Sequence, residues 1–165
     1  MKNKRVKERI EAIYAKVPEV HCQGKCWEYC SLLMMSGIEM KRLVDAGGAA
    51  GALVNRDDML CGSLDRRSHR CRAYAVRPLI CRLFGAVKRL RCPHGCVPDR
   101  WVSDEEAWAL FSQVCMLSRE LGYDEQGRGT RLDASSFQSW ESVAHYVNLD
   151  MAMGDVRGRD KGKER

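Results

Sequence analysis

Cysteine content is the feature that most constrains how this chain of 165 residues can fold. The chain contains nine cysteines, and the eight that lie between positions 22 and 96 are Cys22, Cys26, Cys30, Cys61, Cys71, Cys81, Cys92 and Cys96. No apolar block or cleavage site of a secretory signal follows the basic N-terminus, so we expect the chain to stay in a reducing cytoplasm. In that compartment, cysteines at short spacings indicate metal binding or redox chemistry more often than disulfides.

Thiolates at this density point to one kind of chemistry. Four thiolates complete a tetrahedral zinc site, and four cysteines also hold an iron–sulfur cluster. The eight clustered cysteines are therefore the predicted ligands, and they permit two mononuclear sites, one multinuclear site, or one site with spare thiols. The expected cofactor is an iron–sulfur cluster, with 4Fe-4S preferred, or zinc. His21, His69 and His94 lie close to cysteines and are alternative ligands. Cys81 is the strongest single candidate, because Pro78 predicts a short helical turn that would hold it.

Positive charge is concentrated among the cysteines. The formal net charge is +6, and residues 65–91 carry nine basic residues against one acid. Because a site of four thiolates is anionic, nearby arginines would offset its charge, and Arg77 and Arg82 are candidates to hydrogen-bond sulfur or a neighbouring carboxylate. The alternatives are surface salt bridges for these two arginines and a phosphate-binding patch for the basic region. No stretch approaches the ~20 apolar residues of a membrane-spanning helix, so no membrane partner is expected.

The apolar pattern predicts a mainly α fold, a small helical domain with an irregular cysteine-rich region and one short β-hairpin. The hairpin would carry Cys61 and Cys71 on its two arms, with a turn at residues 65–68. Cys22, Cys26 and Cys30 would share one face if they were helical, or wrap a metal directly if they formed a loop. Helical spacing, capping signals, prolines and glycines predict helices over residues 4–17, 37–46, 79–84, 104–121 and 135–153.

Local signals refine these elements. Ser36 with Glu39 and Ser103 with Glu106 fit capping boxes, and capping alone accounts for Glu39. Cys115 falls in the middle of a predicted helix and is interpreted as a buried structural thiol. Residues 1–153 are predicted to form one domain, followed by a disordered charged tail. The domain contains a cysteine core over about 20–97 and C-terminal helices over about 104–153, and the tail covers residues 154–165. We expect little apolar content in residues 55–97 and a partly unfolded protein without metal.

The segment Arg77-Pro-Leu-Ile-Cys-Arg82, preceded by Cys71 and Tyr74, resembles a bacterial cysteine-cluster family of zinc- or iron-chelating domains. In that family an N-terminal cysteine cluster and an acidic residue in a helix precede such a segment. The matching residues here are Cys22, Cys26 and Cys30 for the cluster and Glu39 for the acid. The family often closes its first cluster with two adjacent cysteines, whereas Cys30 is followed by Ser31. The cysteine region is also similar to that of flagellin lysine N-methylase.

Three functions are compatible with these features. The resemblance implies a metal-binding protein that chelates iron, as an iron–sulfur cluster, or zinc. The first alternative is a structural zinc module whose basic surface binds nucleic acid or a protein partner. The second is a cluster-dependent enzyme similar to a methyltransferase, although Gly47-Gly48 follows a predicted helix and lacks the strand context of a methyl-donor site. The sequence assigns no catalytic residues.

Overall fold

The protein was analysed as a computed structural model, which describes residues 2–30, 34–47, 60–123 and 137–148. Within these ranges it contains five α-helices and one two-stranded antiparallel hairpin. The helices are α1 Lys2–Tyr14, α2 Gly37–Asp45, α3 Leu79–Leu83, α4 Asp104–Glu120 and α5 over 140–148. The strands are β1 Leu64–Asp65 and β2 Arg70–Cys71. The predicted mainly α class with a cysteine-rich irregular region and one short hairpin is confirmed.

Helix α4 is the centre of the core, because α1, α2 and α3 all pack against it. Its apolar face is buried at Leu110 and Val114, which are 2% and 1% exposed. Cys115 is also buried in this core, as predicted. In the part of the chain that the structure describes, no helix is both long enough and apolar enough to cross a membrane.

Helix α1 forms as predicted but ends at Tyr14 instead of residue 17. The chain then tightens, and the Lys16 and Val17 amides donate to carbonyl oxygens three residues back, at 3.2 and 3.0 Å. Pro18 follows this tightened turn and disfavours the α conformation at Val17, so the helix does not reach that residue.

The capping box predicted for α2 is present, and that of α4 forms in part. Ser103 Oγ accepts from the Glu106 amide at 3.1 Å, so this half of the α4 capping box forms. The Glu106 carboxylate instead binds the Arg100 guanidinium, at 2.7 and 2.8 Å. Helix α2 begins against the end of α4, where a Cβ on Gly37 would overlap the Tyr123 carbonyl. The glycine therefore allows the two helices to approach closely.

The hairpin lies where the sequence predicts it, although Cys61 precedes β1 instead of lying on it. Leu64 pairs with Cys71, and Asp65 pairs with Arg70. Asp65 Oδ1 accepts from the Arg67 amide at 2.9 Å, which closes the turn. The turn covers residues 66–69, one residue later than the predicted 65–68.

The expectation of little apolar content in residues 55–97 is wrong for residues 79–90. Helix α3 begins after Pro78 and ends at Leu83, one residue before the predicted end. Its side chains and those that follow pack into the core at 0–3% exposure: Leu79, Ile80, Leu83, Val87 and Leu90. These residues are divided between a short helix and a 3₁₀ turn, so no single helical or strand periodicity in the sequence shows that all of them are buried.

Helix α5 begins at residue 140, and residues 137–139 before it are not helical. Ser139 Oγ accepts from the Ser142 amide at 3.3 Å and so caps the helix. The predicted face is buried at Trp140 and Val143. Other expectations lie outside the described residues: the ends of this helix at 135 and 153 and the tail over 154–165.

Candidate metal centre

The segment that carries Cys22, Cys26 and Cys30 is a loop and not a helix, which were the two alternatives that their spacing allowed. Residues 21–26 have no helix, and a single 3₁₀ turn, Trp27–Tyr29, separates Cys26 from Cys30. None of the nine cysteines, all within the described ranges, forms a disulfide. The thiols are therefore available to ligate a metal.

Two distant segments lie side by side next to this loop. Val20 and Pro98 form an antiparallel bridge. The Asp99 amide donates to the Glu19 carbonyl at 3.1 Å, which extends the same pairing outward. His21 Nε2 lies 2.8 Å from Asp99 Oδ1, so its side chain is directed toward a carboxylate on the facing segment.

Cys22 lies two residues after Val20 and Cys96 lies two residues before Pro98, so the bridge brings the segment before Cys22 next to the segment after Cys96. The thiols of Cys26 and Cys22 share a hydrogen bond, and so do those of Cys92 and Cys96. Cys26 also interacts electrostatically with Cys92. We call these four residues group I.

The remaining four clustered cysteines form group II: Cys30, Cys61, Cys71 and Cys81. The Cys61 amide donates to the Cys30 carbonyl at 2.7 Å, which brings the two backbones together. The Cys30 thiol shares a hydrogen bond with Cys61 and interacts electrostatically with Cys71 and Cys81. Strand β2 and helix α3 thus deliver one thiol each to a pair formed by two loops.

Four of the cysteines share one local turn, in which the backbone N–H two residues later donates to the sulfur. The donors are Gly24 to Cys22 at 3.3 Å, Ser63 to Cys61 at 3.4 Å, Ala73 to Cys71, and His94 to Cys92. Hydrogen bonds of this kind stabilise the anionic form of sulfur. Two of the four lie in group I and two in group II.

Burial opposes this stabilisation. It raises the pKa of Cys26 to about 12 and also raises the pKa values of Cys71 and Cys81. The hydrogen bond shared with Cys30 lowers the pKa of Cys61 to about 6. A bound metal must displace the protons of the thiols whose pKa is raised.

Two arginines supply positive charge to group II. Arg66 donates to the carbonyls of Cys61 and Leu64 at 2.7 and 2.6 Å, and its charge lowers the pKa of Cys61. The charge of Arg77 offsets part of the rise that burial causes in the pKa values of Cys71 and Cys81. The expected charge balance is present, and the role of Arg66 was not foreseen because its partners are backbone carbonyls.

Arg82 makes neither of the contacts expected for it. Its guanidinium donates to the carbonyls of Arg77 and Ala75 at 3.0 and 2.9 Å. It also lies over the Tyr14 ring, 4.3 Å from the centroid. Arg82 thus fixes the chain that leads into α3, which carries Cys81.

Glu39 does more than cap α2. It is 3% exposed, and its Oε1 accepts from Tyr14 Oη at 2.8 Å and from the Leu79 amide at 2.6 Å. Its Oε2 accepts from the Ser36 amide at 2.9 Å and from Ser36 Oγ at 3.1 Å. Because Leu79 is the first residue of α3, Glu39 positions the helix that presents Cys81. The capping pattern explained only half of these contacts.

Of the three histidines that are alternative ligands, His69 lines the same cavity as the thiols, whereas His21 and His94 do not. The His69 ring stacks on Trp27 with centroids 4.0 Å apart. Tyr74 is 53% exposed and lies under Arg77, 3.9 Å from the guanidinium carbon. Trp27 and Tyr74 are therefore rim aromatics. His94 lies in the turn between Cys92 and Cys96, where its backbone N–H donates to the Cys92 sulfur.

A cavity of about 940 Å³ connects the thiols. Seven of the eight cysteines line it: Cys22, Cys26, Cys30, Cys61, Cys71, Cys81 and Cys92. Nowhere in the described ranges do three His, Cys, Asp or Glu side chains converge as the ligands of a metal ion. A zinc–sulfur bond of about 2.3 Å places tetrahedral sulfurs about 3.8 Å apart. The thiols thus surround a space instead of closing on a point, and their donor set suits a thiolate-bound metal group.

Comparison with known proteins agrees with this donor set. A family model named CxxCxxCC, described as a "putative zinc- or iron-chelating domain", matches residues 21–116. Comparisons with curated proteins and with solved structures gave no match. The matched region is more than half of the chain and contains all nine cysteines. The chain therefore belongs to the CxxCxxCC family of zinc- or iron-chelating domains.

Proposed function

We propose that this chain is a cytoplasmic metal-binding protein that holds iron as an iron–sulfur cluster of the 4Fe-4S type, ligated by its clustered cysteines. The observation that carries this proposal is the cavity of about 940 Å³ that seven cysteines line without closing on one point. A polynuclear cluster occupies space between its ligands, whereas a single zinc ion requires sulfurs in near contact.

The surroundings of the thiols support a thiolate-bound cluster. Four backbone N–H groups donate to cysteine sulfur, and hydrogen bonds to sulfur are one means by which proteins adjust the potential of such a cluster. Arg66 and Arg77 place positive charge beside group II, which offsets the negative charge of four thiolates. When bound, a cluster would supply one-electron chemistry or a structural crosslink.

Zinc is the second candidate, and a specific observation favours it. Three thiol pairs are already in hydrogen-bond contact: Cys22 with Cys26, Cys92 with Cys96, and Cys30 with Cys61. Zinc holds its sulfur ligands at comparably short separations. In this case the protein would be a structural module, with its basic surface available to a protein or nucleic-acid partner.

Metal and acid-labile sulfide analysis distinguishes the two candidates. The full chain would be purified without oxygen, and its visible spectrum recorded before and after exposure to air. We expect iron with equal sulfide and a broad absorbance near ~400 nm that air bleaches. A Cys115→Ala variant is the matched control, because Cys115 is buried in α4 and should leave the spectrum unchanged. Stoichiometric zinc in a colourless protein would contradict the cluster proposal.

A further inference from the structure

We propose that the eight clustered cysteines form two separate metal centres of four thiolates each, one at group I and one at group II. This inference deepens the proposed function and rests on it, since it concerns how many metal groups the same cysteines hold. The family description names zinc or iron but no number of centres.

The bridge between Val20 and Pro98 carries the argument for group I. It joins two segments that are far apart in sequence, and Cys22 follows one bridged residue by two positions while Cys96 precedes the other by two. The thiols of Cys26 and Cys22 share a hydrogen bond, and so do those of Cys92 and Cys96. Group I therefore consists of two hydrogen-bonded pairs in which each backbone segment supplies two ligands.

The interactions among the thiols also separate the groups. The strongest interactions of Cys26 and Cys92 with other thiols are with members of group I. Those of Cys30 and Cys81 are with members of group II. The turn Trp27–Tyr29 lies between the last loop cysteine of group I and the first cysteine of group II. Each group also has two sulfurs that accept a hydrogen bond from a backbone N–H, so the backbone stabilises thiolates equally in both groups.

Cys96 does not fit a single centre. It is the one clustered cysteine that does not line the shared cavity, so a lone metal group in that cavity would leave it without a role. Cys96 is 7% exposed and hydrogen-bonded to Cys92, so it lies where it can act as a ligand beside that residue. With Cys96 included, the eight clustered cysteines are enough for two complete sets of four.

The first test is stoichiometry on the native chain. After anaerobic reconstitution with iron and sulfide, two centres of the 4Fe-4S type bind about eight iron and about eight sulfide per chain. If the metal is zinc, two centres bind about two ions per chain. Half of these amounts, about four iron or about one zinc at saturation, would overturn the inference. The identity of the metal tests the proposed function and the number of centres tests this inference, so the two can fail independently.

The second test assigns the centres with two double variants. Cys22→Ser with Cys96→Ser removes group I, and Cys61→Ser with Cys81→Ser removes group II. We expect each variant to keep about half of the native metal, a two-fold loss, and Cys115→Ala to keep all of it. Complete loss of metal from a variant whose far-UV circular dichroism shows it to be folded would indicate one shared centre and refute the assignment.

A third measurement needs no variant and covers the case in which a double variant fails to fold. The metal-loaded native chain is treated with increasing chelator, alkylated, and analysed by peptide mass spectrometry. Two centres predict that the four cysteines of one group become modified together while the other four remain protected. Modification of sets that mix members of both groups would contradict the division.

Discussion

Replacing Glu39 tests how the fold holds the helix that carries Cys81. The Glu39 carboxylate is buried and accepts four hydrogen bonds, two at each oxygen. In Glu39→Ala, the Tyr14 hydroxyl and the Leu79 amide lose their acceptor inside the core. The Ser36 amide and hydroxyl are only partly buried and can turn to water, so they contribute less.

The size of the effect follows from these two orphaned donors. An unsatisfied buried donor costs about 1–3 kcal/mol, so the pair is expected to lower the free energy of unfolding by about 2–6 kcal/mol. Domains of this size are stable by about 5–15 kcal/mol, so the loss is a large fraction of the total. Glu39→Gln keeps one carbonyl oxygen for the same two donors and should cost about 1–2 kcal/mol.

Urea unfolding at a fixed metal load, followed by circular dichroism, measures these differences. Asp45→Ala is the matched control, because it removes an exposed ion pair with Lys41 on the same helix and should leave the midpoint unchanged. The metal-loaded Glu39→Ala protein should also release metal to a chelator faster, since α3 loses the contact that positions its first residue.

A loss below about 1 kcal/mol in Glu39→Ala would refute the reasoning, because it would mean that the two donors find other partners at little cost. Equal losses in the alanine and glutamine variants would also contradict it. They would show that the negative charge, and not the hydrogen-bond acceptors, determines the effect.

Three further predictions follow from the same structure. Gly37→Ala should lower the free energy of unfolding by about 1–3 kcal/mol, and with it the thermal midpoint, because the new Cβ would overlap the Tyr123 carbonyl. An unchanged midpoint would contradict the close approach of α2 to the end of α4. Metal affinity should fall as the pH is lowered from about 8 to about 5, because burial raises the thiol pKa values and protons must leave before metal binds; chelator competition measures it, and a pH-independent affinity would argue against thiolate ligation. Metal removal should expose residues 20–30 and 60–77 to protease while the α4 core persists, and cleavage spread evenly over the chain would count against this.

Much of the fold could be predicted, because helices depend on local signals. Ser103 begins α4 and Ser36 begins α2 as the capping patterns predict. The errors lie where a tertiary contact or an adjacent residue overrides the local period. Helix α1 ends early before Pro18, and α5 begins late at the Ser139 cap. These boundaries depend on short-range geometry that apolar periodicity does not encode.

The candidate site residues divide in the same way. Residue type and spacing alone are enough to propose the eight clustered cysteines as ligands, because thiolate chemistry belongs to the side chain itself. Glu39 and Arg66 were underestimated, because their partners are a tyrosine distant in sequence and backbone groups. A capping pattern shows one oxygen of a carboxylate and gives no sign of what the other binds.

The sequence by itself therefore determined the helices, the ligand type and the family of zinc- or iron-chelating domains. Only the tertiary structure decided which cysteines meet. The pairing of Val20 with Pro98 brings the segment before Cys22 next to the segment after Cys96, and the Cys61 amide binds the Cys30 carbonyl in the other group. Spacing along the chain constrains only neighbours within a few residues, whereas a metal centre depends on distances in space. Those distances are fixed by backbone pairing and core packing between segments that are remote in sequence.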